Sequence, residues 1–591
     1  MSTPSSRLAA VRAAMAAQGL AGFLVPRGDE HLGEYVPDSA ARLQWLTGFS
    51  GSAGLAVVLP ETAAVWSDGR YVLQLASQTD PALWQRLHLT ETPPPGWIAD
   101  RIGTGPLGYD PWLHSEESLK PYTDAGITLH PVELSPVDAA WTDDRPAPPL
   151  APAIPHPVEY AGATSTEKRE QIATSLREAK QDAAIIGDPA SLAWLLNIRG
   201  ADVESTPFAL GFAIARSDAS VDLFMDSRKL PSETRAWLGN NVSLAERAAL
   251  PAALALTAGK RIRVDPSGTA AWFAERLRAA GATIVPGADP CLLPKARKNA
   301  TEQAGARAAH ARDGVALTRF LHWLAERLKS APGHETEISA AERLTAFRAE
   351  GDLFRGDSFA AISGAGEHGA IIHYRVTPET NRTLKPNEVY LIDSGGQYLD
   401  GTTDVTRTIW TGPAAPPAEI QDRFTRVLKG HIALATAIFP ENVAGVRLDT
   451  LARAALWQAG LDYDHGTGHG VGSYLSVHEG PVSISPHLRP ATITEGMILS
   501  NEPGYYLPGA YGIRIENLVL VHRAEIPSEK PFLTFESLTL APIDRTLIDT
   551  TLLSPEERTW LNTYHARVAH ELTPHLPPQA AEWLAKACAP L

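Results

Sequence analysis

The chain has 591 residues, 44% of them hydrophobic, with a formal net charge of −15 and only two cysteines. That length exceeds a single core and predicts two to four domains. No apolar run reaches the roughly 18–20 residues of a membrane span, the acidic balance argues against a nucleic-acid partner, and Cys291 and Cys588 cannot build a disulfide framework, so a reducing cytoplasm is the expected setting.

The segment from Met1 to Gln18 lacks acidic residues and carries Arg7 and Arg12, as a transit peptide would. Leu8, Val11 and Met15 instead fall at helical spacing, and the segment runs through Gly19 into the strand pattern Gly22–Pro26, so it reads as the first element of a folded domain. Residues 56–60 and 63–67 predict a hairpin, closed by Asp68-Gly69-Arg70, with a further helix from Tyr71. The proline-rich stretch 145–157 predicts a linker, because proline lacks the N–H that ladders need.

A second unit echoes the first. A helix over 168–180 leads to the strand 183–186. Leu192-Ala193-Trp194-Leu195 follows as Leu43-Gln44-Trp45-Leu46 did. Strands over 209–215 and 221–225 end in Asp226-Ser227-Arg228, matching Asp68-Gly69-Arg70. Neither unit holds a clustered ligand set. From Leu292 onward a long helix (302–328) and a second one (337–350, capped by Thr336) precede strands at 360–363, 388–392 and 406–410. Helices at 418–437 and 448–458 and a helical tail from Ser554 complete the pattern. The expected domains are 1–150, 158–290 and 292–591.

The chemistry lies between residues 392 and 516. Asp393 ends an apolar strand before Ser394-Gly395-Gly396, which alone reads as a turn. Asp404 follows 404 − 393 = 11 positions later, and the glycines between allow two antiparallel strands to bring both carboxylates together. Neighbouring carboxylates repel unless a proton or cation lies between them. His465 and His469 sit among Gly466, Gly468 and Gly470, a run that opposes helix and permits close backbone approach; His478 follows. No Gly-Lys-Ser/Thr accompanies these glycines, so phosphate binding is a poor reading. Glu502 ends a strand before Pro503-Gly504. In Ile513-Arg514-Ile515-Glu516 the alternation puts Arg514 and Glu516 on one face of a strand expected to continue through Leu518-Val519-Leu520. A buried charge there needs a partner or a metal. Four carboxylates and one imidazole form a hard donor set, suited to two divalent ions: Mn²⁺ first, with Co²⁺ or Zn²⁺ as alternatives.

These five motifs, in this order, resemble the pita-bread metallopeptidases, a family that includes methionine aminopeptidase, prolidase, creatinase and aminopeptidase P. The similarity is greatest to the large three-domain Xaa-Pro aminopeptidases and extends through Ile371-Ile372-His373-Tyr374 and Glu502-Pro503-Gly504-Tyr505-Tyr506. The resemblance implies an α+β fold: two related creatinase-type α/β domains ahead of a pita-bread catalytic domain. It implies that Asp393 holds one metal, that His469 and Glu502 help hold the other, and that Asp404 and Glu516 bridge both. Glu502 would be the general base for a metal-bridging hydroxide, His373 and His478 would meet the peptide carbonyl, and His465 and Arg514 would line the substrate pocket. The implied substrate is a peptide with an N-terminal residue followed by proline, and the implied assembly a homodimer. A dipeptide-specific prolidase and a non-catalytic binding module are the alternatives.

Overall fold

The computed structural model describes residues 3–591. Met1 and Ser2, the start of the first expected domain and of the leader-like segment, lie outside the described residues. The chain separates into two compact units, one of Met1–Val158 with Ala163–Leu292, the other of Glu159–Gly162 with Leu293–Leu591.

The first unit contains two six-stranded sheets built to one plan. The first orders its strands Gln85–His88, Ala63–Ser67, Leu55–Val58, Gly22–Pro26, Leu107–Tyr109 and Leu129–Pro131. The second orders Val242–Ala245, Val221–Phe224, Phe212–Arg216, Ala183–Ile186, Arg261–Val264 and Thr283–Pro286. In both, the pairings across the sheet run parallel, antiparallel, antiparallel, parallel, parallel. The repeated sequence pattern is therefore a repeated topology. Alternation explains how each sheet carries helices on both faces. Phe23 and Val25 join one core cluster, while Leu24 between them joins another. The echoing tripeptides also have one physical job: Arg70 pairs back onto Asp68 at 2.7 Å and Arg228 onto Asp226 at 2.6 Å.

The proline-rich stretch is only partly a linker. Ile154–Pro155 pairs antiparallel with Ile198–Arg199, and the Ala153 N–H donates to the Lys229 carbonyl at 2.8 Å. The non-proline residues at 153–154 keep the N–H groups that such pairing needs.

In the second unit, after the short helix Leu292–Ala296, comes the helix Ala300–Ser330, capped by Asn299 with Glu302 reaching back, and then Glu337–Ala349, capped by Thr336. A three-stranded antiparallel sheet follows, with Val389–Ser394 between Ile362–Ala365 and Val405–Trp410. A six-stranded sheet orders Phe439–Pro440, Phe532–Ser537, Asn517–Arg523, Ile498–Asn501, Gly468–Gly470 and Glu479–Ile484. A hairpin joins Gly504–Leu507 to Tyr511–Arg514. Helices Ala418–Ala435 and Pro555–Leu572 share one core cluster with the hairpin through Phe424, Ile513 and Leu561. The single strand expected over 513–520 is in fact two. Arg514 ends a strand of the hairpin and Asn517 begins one of the six-stranded sheet, so Ile515 and Glu516 fall in the break. Among the described residues no helix is long and apolar enough to cross a membrane.

Candidate metal centre

Asp393 lies inside its strand rather than at the end, one residue before Ser394 closes it. It pairs with Thr406, and Ser394 pairs with Val405. Extending that register sets Gly395 opposite Asp404, so the two carboxylates project from one face as diagonal neighbours. Gly395 permits this, since a Cβ there would meet the Thr403 carbonyl oxygen at 1.9 Å. The reversal between the strands is longer than a tight turn, because Gly396–Tyr398 and Gly401–Thr402 form a small hairpin of their own.

His469 sits in the short strand Gly468–Gly470. A Cβ on Gly470 would lie 2.3 Å from the Glu479 carbonyl oxygen, so glycine lets the two strands close beside the imidazole. The ring Nδ1–H donates to the Gly470 carbonyl at 2.9 Å, which turns Nε2 toward Asp404 Oδ2 and Glu502 Oε1, each at 3.5 Å. Ser500 Oγ accepts the His469 N–H at 2.9 Å and donates to Glu502 Oε1 at 3.1 Å, fixing both ligands from one hydroxyl. Glu516 Oε2 accepts from Thr406 Oγ1 at 2.6 Å.

One ligand atom each from Asp404, His469 and Glu516 lies within 4.8 Å of the others. Asp393 Oδ1 and Asp404 Oδ1 are buried without a hydrogen-bond partner. Burial, reinforced by the Asp393 and Glu502 charges, pushes the Asp404 carboxyl up to about 6 against the hydrogen bond from His469. Burial and the three neighbouring carboxylates carry Glu516 well above its ordinary value. Burial would depress the His469 imidazole, but its hydrogen bond to Asp404 and the Glu502 charge outweigh this and raise it to about 9. Four carboxylates thus crowd around one imidazole and one guanidinium. Orphaned hard oxygens around one correctly turned imidazole fit divalent cations.

A neutral and cationic chain flanks the carboxylates. Arg514 donates to Asp393 Oδ2 at 2.6 Å, to Thr406 Oγ1 at 3.1 Å and to the Tyr506 hydroxyl at 2.6 Å. His465 Nδ1–H donates to the Gly466 carbonyl, which leaves Nε2 to accept from Tyr506 at 2.9 Å. His478 packs edge-on against His469, ring centres 4.3 Å apart. The structure therefore gathers Asp393, Asp404, His465, His469, His478, Glu502, Arg514 and Glu516 into one neighbourhood. His373 stands on a different segment, the half-buried loop after the turn Gly366–Ala370. No sequence signal singles out Ser500, which lies in the strand Ile498–Asn501 two residues before Glu502.

The fold and the site together define a metallopeptidase of the pita-bread class. Residues 304–523 match the description metallopeptidase family M24, and residues 531–591 match the C-terminal region of peptidase M24. Two creatinase/prolidase N-terminal domain descriptions match residues 7–137 and 144–302. A probable Xaa-Pro aminopeptidase P of Laccaria bicolor is 39% identical, covering 99% of this chain and 94% of that protein. Aminopeptidase P1 of Lotus japonicus is 36% identical over 99% of each. The chain belongs to metallopeptidase family M24, in the group of the Xaa-Pro aminopeptidases P. The X-prolyl aminopeptidase of Caenorhabditis elegans, described as a cytosolic enzyme with a di-nuclear active site, superposes with a TM-score of 0.94 at 35% identity, covering 100% of both chains. An Xaa-Pro dipeptidase of Bacillus anthracis, 20% identical with a TM-score of 0.51, shares the fold over 64% of this chain.

Proposed function

We propose that this chain is an Xaa-Pro aminopeptidase with two divalent metal ions, which removes the first residue of peptides whose second residue is proline. The observation that carries this reading is the convergence of Asp404, His469 and Glu516 beside buried carboxylate oxygens that lack partners. Asp393 would hold one ion, His469 and Glu502 the other, with Asp404 and Glu516 shared. When bound, the ions offset the four carboxylates, polarise the scissile carbonyl and lower the pKa of water. Glu502 is the general base: Ser500 holds its Oε1, and its position beside His469 suits it to accept the proton of the attacking water. His478 and His373 steady the developing oxyanion. His465 and Arg514 shape the pocket through Tyr506. Proline at the second position removes the amide N–H and fixes φ, so a dedicated pocket is required.

Mn²⁺ suits the hard donor set; the description of the Caenorhabditis elegans enzyme as cytosolic supports a cytosolic setting, and a homodimer with domains over 1–150, 158–290 and 292–591 is what the family resemblance implies. The test is an Mn²⁺-reconstituted assay of a proline-second peptide beside an alanine-second control and the free Xaa-Pro dipeptide. Release of the first residue from the longer proline-second peptide alone is expected. Preference for the dipeptide would reassign the chain as a prolidase, and no turnover of any peptide would leave only a binding role. Glu502→Gln should reduce turnover by about 10²–10⁴-fold, the range general-base catalysis supplies; near-normal rates would remove Glu502 from that role.

A further inference from the structure

Glu516 occupies the gap between two strands, where no regular ladder receives its carbonyl. That carbonyl is taken instead by a guanidinium. Arg407 Nη1 donates to the Glu516 carbonyl at 2.7 Å and to the Thr406 carbonyl at 2.8 Å. Its Nε donates to the Pro542 carbonyl at 3.0 Å, and Nη2 reaches Asn517 Oδ1 at 2.8 Å, the Ala541 carbonyl at 3.0 Å and the Tyr564 hydroxyl at 3.0 Å. Arg407 is 1% exposed, and among the described residues no carboxylate lies within ion-pair distance of it. Burial alone lowers its pKa, opposed by Tyr564 and the Glu516 charge. A buried cation whose N–H groups all meet neutral acceptors is costly, so the question is what its hydrogen bonds hold together.

The clamp joins two segments. On one side are the backbones of Thr406 and Glu516, whose side chains are themselves bonded. On the other are residues 541–542 and Tyr564, which lies in the helix Pro555–Leu572. The Tyr564 hydroxyl also lies 3.0 Å from both the Thr539 and Ala541 carbonyls and 3.3 Å from the Ala541 N–H. We infer that Arg407 and Tyr564 are positioning residues through which the C-terminal helical segment sets the backbone of the metal-bridging carboxylate Glu516. This rests on the functional reading above, since it assigns Glu516 to the metals.

The test is calorimetric titration of metal-stripped full-length protein with Mn²⁺, with the Co²⁺ absorption spectrum as a second readout of ligand geometry. Tyr564→Phe and Arg407→Lys are compared with Leu561→Val, which trims the core on the same helix without touching the clamp. Losing an outer partner of a ligand weakens metal binding by about 10–100-fold. That loss and an altered Co²⁺ spectrum are expected in the first two variants, with turnover by Tyr564→Phe restored at saturating Mn²⁺. Leu561→Val should bind as the wild type does. Wild-type affinity in both clamp variants overturns the inference, as does an equal loss in Leu561→Val. A wild-type protein that takes up neither ion removes the functional reading itself, and the inference with it.

Discussion

Glu479, the residue after His478, is buried. Lys295 approaches it at 3.1 Å and Lys298 more closely still, with all three side chains at most 2% exposed. Burial would raise this carboxyl, but the two ammonium groups outweigh it and hold it below the ordinary range. A carboxyl depressed in the fold stabilises it above the unfolded value, about 4.3 for Glu, and that contribution is lost as the pH falls through the folded value. Glu479→Gln should cost about 3–5 kcal/mol near pH 7, because the buried carboxylate that faces both ammonium groups loses its charge. The gap in melting temperature between wild type and variant should narrow as the pH drops below about 4; a gap independent of pH would show that the ion triad contributes nothing by its charge. Arg514→Ala should lower activity by releasing Asp393 and Thr406 together, and unchanged kinetics would contradict that.

Strand contacts set the tolerances of the site. Gly470→Ala would drive a methyl into the Glu479 carbonyl, a backbone atom that cannot swing away. The strands bearing His469 and lying beside His478 would part, at a cost of about 1–3 kcal/mol in stability and a larger loss in Mn²⁺ affinity; retention of wild-type affinity would show that the spacing is not critical. The elements themselves were largely legible. The helix starts at Thr336 and Ser554 and the apolar runs near 389–392 and 406–410 lie within a few residues of their sequence estimates, and the long helix expected over 302–328 runs over Ala300–Ser330, with Asn299 as the cap the sequence did not single out. Asp393, Asp404, His469 and Glu502 stand out as candidate ligands because each lies in a short motif with glycine or proline, and Glu516 because of the alternation through Ile513-Arg514-Ile515-Glu516. The break at Ile515–Glu516 was not, since burial is continuous on both sides and only the partners differ. The partners of Glu479, and all those of Arg407 except the adjacent Thr406 carbonyl, lie more than 100 residues away, and no local pattern announces them.

Across the whole molecule, two copies of one α/β plan precede the unit that holds the candidate chemistry. Metal removal should be felt as stability. A ligand that binds only the folded state at about 100 times its Kd adds about 2.7 kcal/mol, so chelation should lower the melting temperature and Mn²⁺ should restore it. Identical melting curves with and without chelator would argue against a bound ion.

The candidate ligands are gathered from Asp393 to Glu516, and the last of them sits in the seam between two sheets. A polypeptide still emerging from the ribosome, or one cut short before that seam, lacks a complete set of donors. With Glu516 as a ligand, interrupted synthesis would yield an inert fragment rather than a stray peptide-cutting activity.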